Sequence, residues 1–131
     1  MDRHDSHQIQ AAVHRGVGEP TSIENLTISS AGPGEVRVAV SACAICHSDL
    51  MYVDGGWATS FPLVLGHEVS GRIVEIGEDV PNLTVGTPVV VSLIRTCGQC
   101  RPCLKGQDVA CEGEISLDAK SPLKDKDGLV I

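Results

Sequence analysis

The chain has 131 residues, of which 42% are hydrophobic, so it is long enough for one folded domain and too apolar for a disordered polymer. Its formal net charge is −7 without a basic cluster, which argues against nucleic-acid binding, because neutralised phosphates supply most of that affinity. The N-terminus is polar and no apolar run could span a bilayer, so we expect a cytoplasmic protein without a membrane partner.

The expected architecture is mainly β. Aromatic residues make up only 2% of the chain, so its core must be built from Val, Ile and Leu, which favour strands. After a polar tail at 1–8, the predicted strands are 10–14, 21–29, 35–42, 69–77 and 85–93, and a further strand begins at 128. In the strand 35–42, Val36, Val38 and Val40 alternate with polar residues and predict one half-buried face.

The connecting segments carry turn and helix signals. Residues 47–53 predict a short helix that ends at Gly55, and residues 60–65 predict a loop. Pro88 restricts its strand to a sheet edge or a bulge. The stretch GVGEPT at 16–21 comes close to the dinucleotide-binding pattern G-x-G-x-x-G, but a strand-like run follows instead of a helix, so we interpret it as a turn.

Four of the six cysteines lie in the segment 94–114, which we call the cysteine lobe. Cys97, Cys100, Cys103 and Cys111 follow the spacing C-x2-C-x2-C-x7-C, in which four thiolates can surround one ion. Few apolar residues accompany them, so a bound metal is the natural means of holding the loop. The spacing favours a closed structural zinc site over an iron–sulfur cluster, whose bacterial pattern has a shorter last gap and a proline after the fourth cysteine.

A second constellation joins two separated stretches. Cys46 and His67 are zinc-type ligands, Glu68 follows directly, and Ser48 and Asp49 lie beside Cys46. Each residue alone also fits a plain structural role, such as a core thiol, a buried histidine or a helix cap. The stretch CAICH at 43–47 further matches the c-type haem pattern, which is disfavoured without export.

Together the motifs CHSDL (46–50), GHEVSG (66–71) and the four-cysteine set resemble the zinc-dependent medium-chain alcohol dehydrogenases. The turn AGPGEV (31–36) fits the same family, and the resemblance runs from about residue 9 to about residue 114. It implies the GroES-like β-barrel of that family, with short helices and a structural-zinc lobe, over residues 9–131.

The resemblance also implies roles for single residues. Cys46 and His67 would be ligands of a catalytic zinc, with Glu68 approaching or ligating it, while Cys97, Cys100, Cys103 and Cys111 would hold a structural zinc. Ser48 would pass the substrate proton outward, Asp49 would hold the liganding histidine, His47 would meet the cofactor pyrophosphate, and Trp57 would line the substrate pocket or pack. Cys43 has no role in this pattern and is expected to be a small buried side chain.

By the same resemblance, the NAD- or NADP-binding Rossmann domain and a third zinc ligand are expected beyond residue 131. We therefore expect an incomplete catalytic domain, inactive alone, of an enzyme that oxidises an alcohol to an aldehyde or ketone. Its exposed apolar surface would favour aggregation or a homo-oligomer. The alternative is a non-catalytic, zinc-stapled binding module.

Overall fold

The computed structural model describes residues 6–94, 96–113 and 121–131. The elements in chain order are β1 (Ser6–His14), β2 (Ser22–Ser29), β3 (Val36–Ala44), α1 (His47–Val53), β4 (Leu63–Val64), β5 (Glu68–Ile76), β6 (Pro88–Val91) and β7 (Leu123–Lys124). Two short 3₁₀ helices, Cys103–Lys105 and Asp108–Ala110, lie in the cysteine lobe. The described residues outside that lobe form what we call the β-domain, and its predicted β character is confirmed.

One sheet has the strand order β4-β1-β2-β7. β1 and β2 pair antiparallel from Ser6 opposite Ser29 to Val13 opposite Ser22. β1 thus begins before the predicted start at residue 10, because the backbone ladder with β2 includes polar residues that we assigned to the tail. The first five residues of that tail lie outside the described residues.

The other sheet has the order β3-β5-β6. Gly71 lies where β5 approaches β3 so closely that a Cβ atom would overlap the Ala39 carbonyl oxygen. The pairing shifts register between Val40 and Ala42. The prediction that Val40 shares a half-buried face with Val36 and Val38 is wrong, since Val40 is 61% exposed beside this irregularity.

Three other segments differ from the predicted elements. β6 is shorter than predicted because the chain turns at Gly86, whose φ is 91°, but Pro88 does lie on an edge strand as expected. The segment 60–65 contains the two-residue strand β4 instead of being loop throughout. The strand predicted from residue 128 is reduced to an isolated bridge between Val130 and Lys124.

The hydrophobic core is small. Among the described residues, only the hydrophobic side chains of Val13, Leu26 and Ile73 are fully buried. Large apolar side chains such as Val90, 82% exposed, lie on the surface. Within the described part of the chain, we find no helix whose length and hydropathy would let it cross a membrane.

Candidate metal centres

The first candidate site begins at the N-terminus of α1. Cys46 precedes the helix in an extended conformation, and its backbone N–H donates to Asp49 Oδ2 at 2.8 Å. Asp49 Oδ2 thereby satisfies one of the free N–H groups at the helix start. The helix dipole favours a negative charge at this end. At the other end, the predicted stop is confirmed at Asp54 and Gly55, whose φ is 74°.

Asp49 is only 4% exposed, yet it can remain charged. Its Oδ1 accepts a hydrogen bond from the Gly66 N–H at 3.2 Å and lies 3.3 Å from His67 Nδ1. Burial raises the pKa of the Asp49 carboxyl, but the N–H groups of Cys46 and Gly66 and the His67 ring outweigh this and hold the pKa below its ordinary value. The carboxylate therefore joins the helix start to the segment that carries His67.

Cys46 lies close to His67 and Glu68, although about twenty residues separate it from them in the sequence. One ligand atom from each lies within 4.8 Å of the others. Because His67 Nδ1 faces Asp49, Nε2 is left for a metal, in the arrangement that orients many histidine ligands. Glu68 begins β5 and is exposed.

The charges at this site favour metal binding. Hydrogen bonds from the Ser48 side chain and backbone lower the pKa of the Cys46 thiol, and His67 lowers it further. Burial lowers the pKa of His67, but the Asp49 carboxylate and the Cys46 sulfur together raise it above its ordinary value. Sulfur, nitrogen and carboxylate donors on one spot suit Zn²⁺, and three protein ligands leave a fourth position open.

The second candidate site is the cysteine lobe. The sulfur atoms of Cys97, Cys100, Cys103 and Cys111 all lie within 4.8 Å of one another, and none of these cysteines forms a disulfide. Backbone N–H groups of Cys97 and Gly113 donate to the Cys111 sulfur at 3.3 and 3.4 Å, and the Cys100 N–H donates to the Cys97 sulfur at 3.3 Å. Hydrogen bonds donated to a sulfur favour its ionised form.

The pKa values of the four thiols in the lobe are shifted in opposite directions. Backbone hydrogen bonds lower the pKa values of the Cys97, Cys100 and Cys111 thiols. The neighbouring Cys100 sulfur and burial raise the pKa of Cys103 to about 12. Since like charges so close repel, a divalent ion that neutralises the set fits the lobe, and four thiolates leave it no open position.

The remaining predicted residues have different surroundings. Ser48 lies within reach of the Cys46 sulfur, whereas His47 is exposed at the first position of α1. Trp57 is 48% exposed and packs edge-on against Tyr52 with ring centroids 5.4 Å apart. The prediction that Cys43 is buried is wrong; its side chain is exposed.

A cleft of about 930 Å³ borders the first site, and Trp57, which was expected to line a substrate pocket or to pack, is not among its lining residues. Asp49 and His67 form part of its wall, and apolar side chains including Phe61, Leu63 and Ile131 form much of the rest. Residues between 49 and 67 build it together with residues from 121–131, far along the chain, so no local pattern in the sequence could have indicated its lining.

Comparison with known proteins agrees with this geometry. An NDMA-dependent alcohol dehydrogenase of Amycolatopsis methanolica is 39% identical over 114 residues, which are 86% of this chain and 31% of that protein. The crystal structure of an alcohol dehydrogenase zinc-binding domain protein from Burkholderia ambifaria superposes with a TM-score of 0.86 at 34% identity, covering 95% of this chain and 35% of that one. Benzyl alcohol dehydrogenase from Acinetobacter calcoaceticus gives 0.78 at 35% identity, covering 94% of this chain and 33% of that one.

The fold and the paired sites define a mainly β domain of the zinc-binding, alcohol dehydrogenase class. The alcohol dehydrogenase GroES-like domain family matches residues 32–124, and the chain belongs to this family. The predicted GroES-like fold is thereby confirmed. The chain spans about a third of the length of the relatives that it matches.

Proposed function

We propose that this chain is the N-terminal catalytic domain of a zinc- and NAD(P)-dependent alcohol dehydrogenase that interconverts an alcohol with its aldehyde or ketone. The observation that carries the proposal is the convergence of Cys46, His67 and Glu68 within 4.8 Å, beside a buried carboxylate. Alcohol dehydrogenases are the established example of a catalytic zinc with two cysteines and one histidine, so a further cysteine from outside these residues would complete the set.

Cys46 and His67 would hold the metal, and Glu68 is near enough to take the third ligand position where the outside cysteine does not, so that one position stays open. The chemistry that zinc supplies in such a site is Lewis-acid polarisation of an alcohol or carbonyl oxygen. Asp49 fixes the His67 ring through Nδ1, so that the nitrogen left for the metal keeps one direction.

Ser48 is the group best placed to move a proton. Its hydroxyl lies beside the Cys46 sulfur, at the helix start, where it can accept the proton of a substrate hydroxyl and donate its own outward. His47 is the exposed neighbour of Ser48, and its ring can meet a cofactor phosphate from the first turn of α1. The hydride acceptor would be NAD or NADP, bound by a part of the enzyme outside these residues.

Metal counting and substitution test the proposal. Zinc-saturated protein is expected to lose one equivalent of zinc in the Cys46→Ser variant and a different equivalent in Cys100→Ser. If Cys46→Ser retains all the zinc of the wild type, the catalytic-site assignment is wrong. The 131-residue chain alone is expected to give no alcohol-dependent reduction of NAD or NADP, which absorbance at 340 nm measures.

The second candidate function is a zinc-stapled module without catalysis. The cysteine lobe favours it, since a closed four-sulfur site stabilises a fold equally well with or without chemistry nearby. This reading expects zinc that is sensitive to Cys100→Ser alone. A wild-type chain with zinc only in the lobe would favour the module and would contradict a metal site made of Cys46, His67 and Glu68.

A further inference from the structure

His14 is a buried polar residue that neither metal centre uses. It ends β1 and is 0% exposed. Its Nδ1 lies 3.2 Å from the Thr21 hydroxyl, whereas Nε2 is buried without a hydrogen-bond partner among the described residues. Since an unpaired buried nitrogen costs free energy, filling space alone does not explain a histidine at this position.

The ring of His14 contacts the start of the segment that leads to the first metal site. It meets the ring of Phe61 edge-on, with centroids 5.6 Å apart and an angle of 64° between the planes. The backbone of His14 is also opposite Leu63 in the pairing of β1 with β4. Edge-on aromatic contacts have a preferred geometry, so the Thr21 hydroxyl, which fixes the His14 ring, also helps to fix Phe61.

The segment 61–67 is therefore held from two sides. At its far end, the Gly66 N–H and His67 Nδ1 both face the Asp49 carboxylate of α1. At its near end, Phe61 and Leu63 are held by His14 on β1. A metal ligand must be held within about 0.5 Å of its productive position. The position of His67 therefore depends on both attachments.

We propose that His14 is a positioning residue for the metal ligand His67, acting through Phe61 and the segment 61–67. The inference rests on the proposed function, since it assumes that Cys46, His67 and Glu68 bind a metal. His14 would thus be one more residue, from a different strand, that determines the metal affinity of this site. It should not influence metal binding in the cysteine lobe.

Cobalt titration of the 131-residue chain tests this inference. Co²⁺ is the probe, and the absorption bands of each site are assigned with Cys46→Ser and Cys100→Ser. We expect His14→Ala to bind Co²⁺ about tenfold more weakly at the first site, in the range seen for outer-sphere residues, and with shifted d–d bands. Binding of Co²⁺ to the cysteine lobe should not change.

Two further variants separate positioning from general stability. His14→Phe keeps an aromatic edge against Phe61 but loses the hydrogen bond to Thr21, so it should recover only part of the Co²⁺ affinity that His14→Ala loses. Leu26→Ala creates a cavity in β2, where Leu26 is 1% exposed and is paired with Ile9 far from His14, so it should lower stability without weakening Co²⁺ binding.

The outcomes distinguish the inference from the proposed function. Wild-type protein that binds Co²⁺ only in the lobe overturns the proposed metal site, and this inference with it. A wild-type first site that His14→Ala leaves unchanged, or that Leu26→Ala weakens equally, overturns the role of His14 alone. Weakened binding by His14→Phe to the level of His14→Ala would equally contradict a role through the ring contact.

Discussion

The two candidate metal sites of this domain are built in opposite ways. In the cysteine lobe, all four sulfurs come from the single stretch 97–111, which among its described residues buries no hydrophobic side chain. In the β-domain, Cys46 precedes a helix and His67 precedes a strand, and the buried carboxylate of Asp49 lies between them.

The difference indicates, for each site, whether the metal stabilises the fold or the fold holds the metal ligands. A loop with little apolar surface to bury needs the ion to hold its shape, because metal binding is then coupled to folding. A site assembled from distant elements instead needs the fold to hold its ligands, because sheet pairing and hydrogen bonds set their positions. Zinc should therefore stabilise the lobe, whereas the β-domain should stabilise the site at Cys46.

Metal removal should have the largest effect, and it should be confined to the lobe. A chelator is expected to unfold residues 97–111 and leave the two sheets intact, since a structural zinc can contribute on the order of 10 kcal/mol to a small metal-dependent fold. Hydrogen exchange followed by mass spectrometry would show loss of protection in the lobe only. Equal loss of protection in β1 and β2 would contradict the division between the regions.

Truncation of one leucine in each region should lower stability strongly in the β-domain and hardly at all in the lobe. Leu26→Ala, at 1% exposure in the β-domain, should lower the free energy of unfolding by about 2–5 kcal/mol, because it leaves a cavity. Leu104→Ala, at 75% exposure in the lobe, should change it by about 0.5 kcal/mol or less. Urea unfolding measures both, and a larger effect at Leu104 would show that the lobe is held by packing.

Asp49→Asn should lower both the free energy of unfolding and the metal affinity of the first site. The buried charge accepts from two backbone N–H groups and lies against His67, so its loss should cost about 1.5–3 kcal/mol. Affinity for Co²⁺ at the first site should fall about 10–100-fold. Urea unfolding and Co²⁺ titration measure the two effects.

Asp54→Asn provides a matched control for that substitution. Asp54 ends the same helix and is exposed, so its substitution should change both quantities little. Equal behaviour of the two variants would mean that Asp49 does not position His67.

The sequence predicts the two regions unequally well. The lobe follows from spacing alone, because four cysteines within one loop must lie close together. At the first site, the residue types suggest zinc ligands, but each also fits a plain structural role, and only the resemblance to a known family assigns Cys46 and His67 to one metal. The contacts of Asp49 with Gly66 and His67 join α1 to a separate segment, and the contact of His14 with Phe61 accompanies the pairing of β1 with β4; no periodicity indicates either.

The two wrong burial predictions both concern residues of β3. Alternation placed Val40 on a buried face, but register shifts and a close approach at Gly71 change the path of the strands there. A small thiol was expected to be buried at Cys43, but its side chain is exposed. Burial depends on the neighbouring strands, so a pattern within one strand cannot fix it.

The smallest expected effect concerns Asp125, which ties the segment 121–131 to Arg15, directly after β1, independently of any metal. Its Oδ1 accepts from the N–H groups of Asp127 and Leu129 at 3.0 Å, and its Oδ2 lies 3.3 Å from Arg15 Nη2. Burial raises the pKa of this carboxyl, but the backbone N–H groups and Arg15 outweigh burial, so the folded pKa lies below the ordinary 3.8.

A depressed pKa means that the unfolded chain takes up the proton first as the pH falls. The contribution of Asp125 should thus be fully present above about pH 4 and should disappear as the pH falls through the folded value. Urea unfolding with a chelator present should show Asp125→Asn less stable than the wild type at pH 7, and the difference should shrink towards pH 2. Asp127→Asn, at a screened surface ion pair with Lys126, should differ little from the wild type throughout. A difference for Asp125→Asn that stays constant down to pH 2 would mean that the charge of this carboxylate contributes nothing, so that only the shape of the turn attaches the segment.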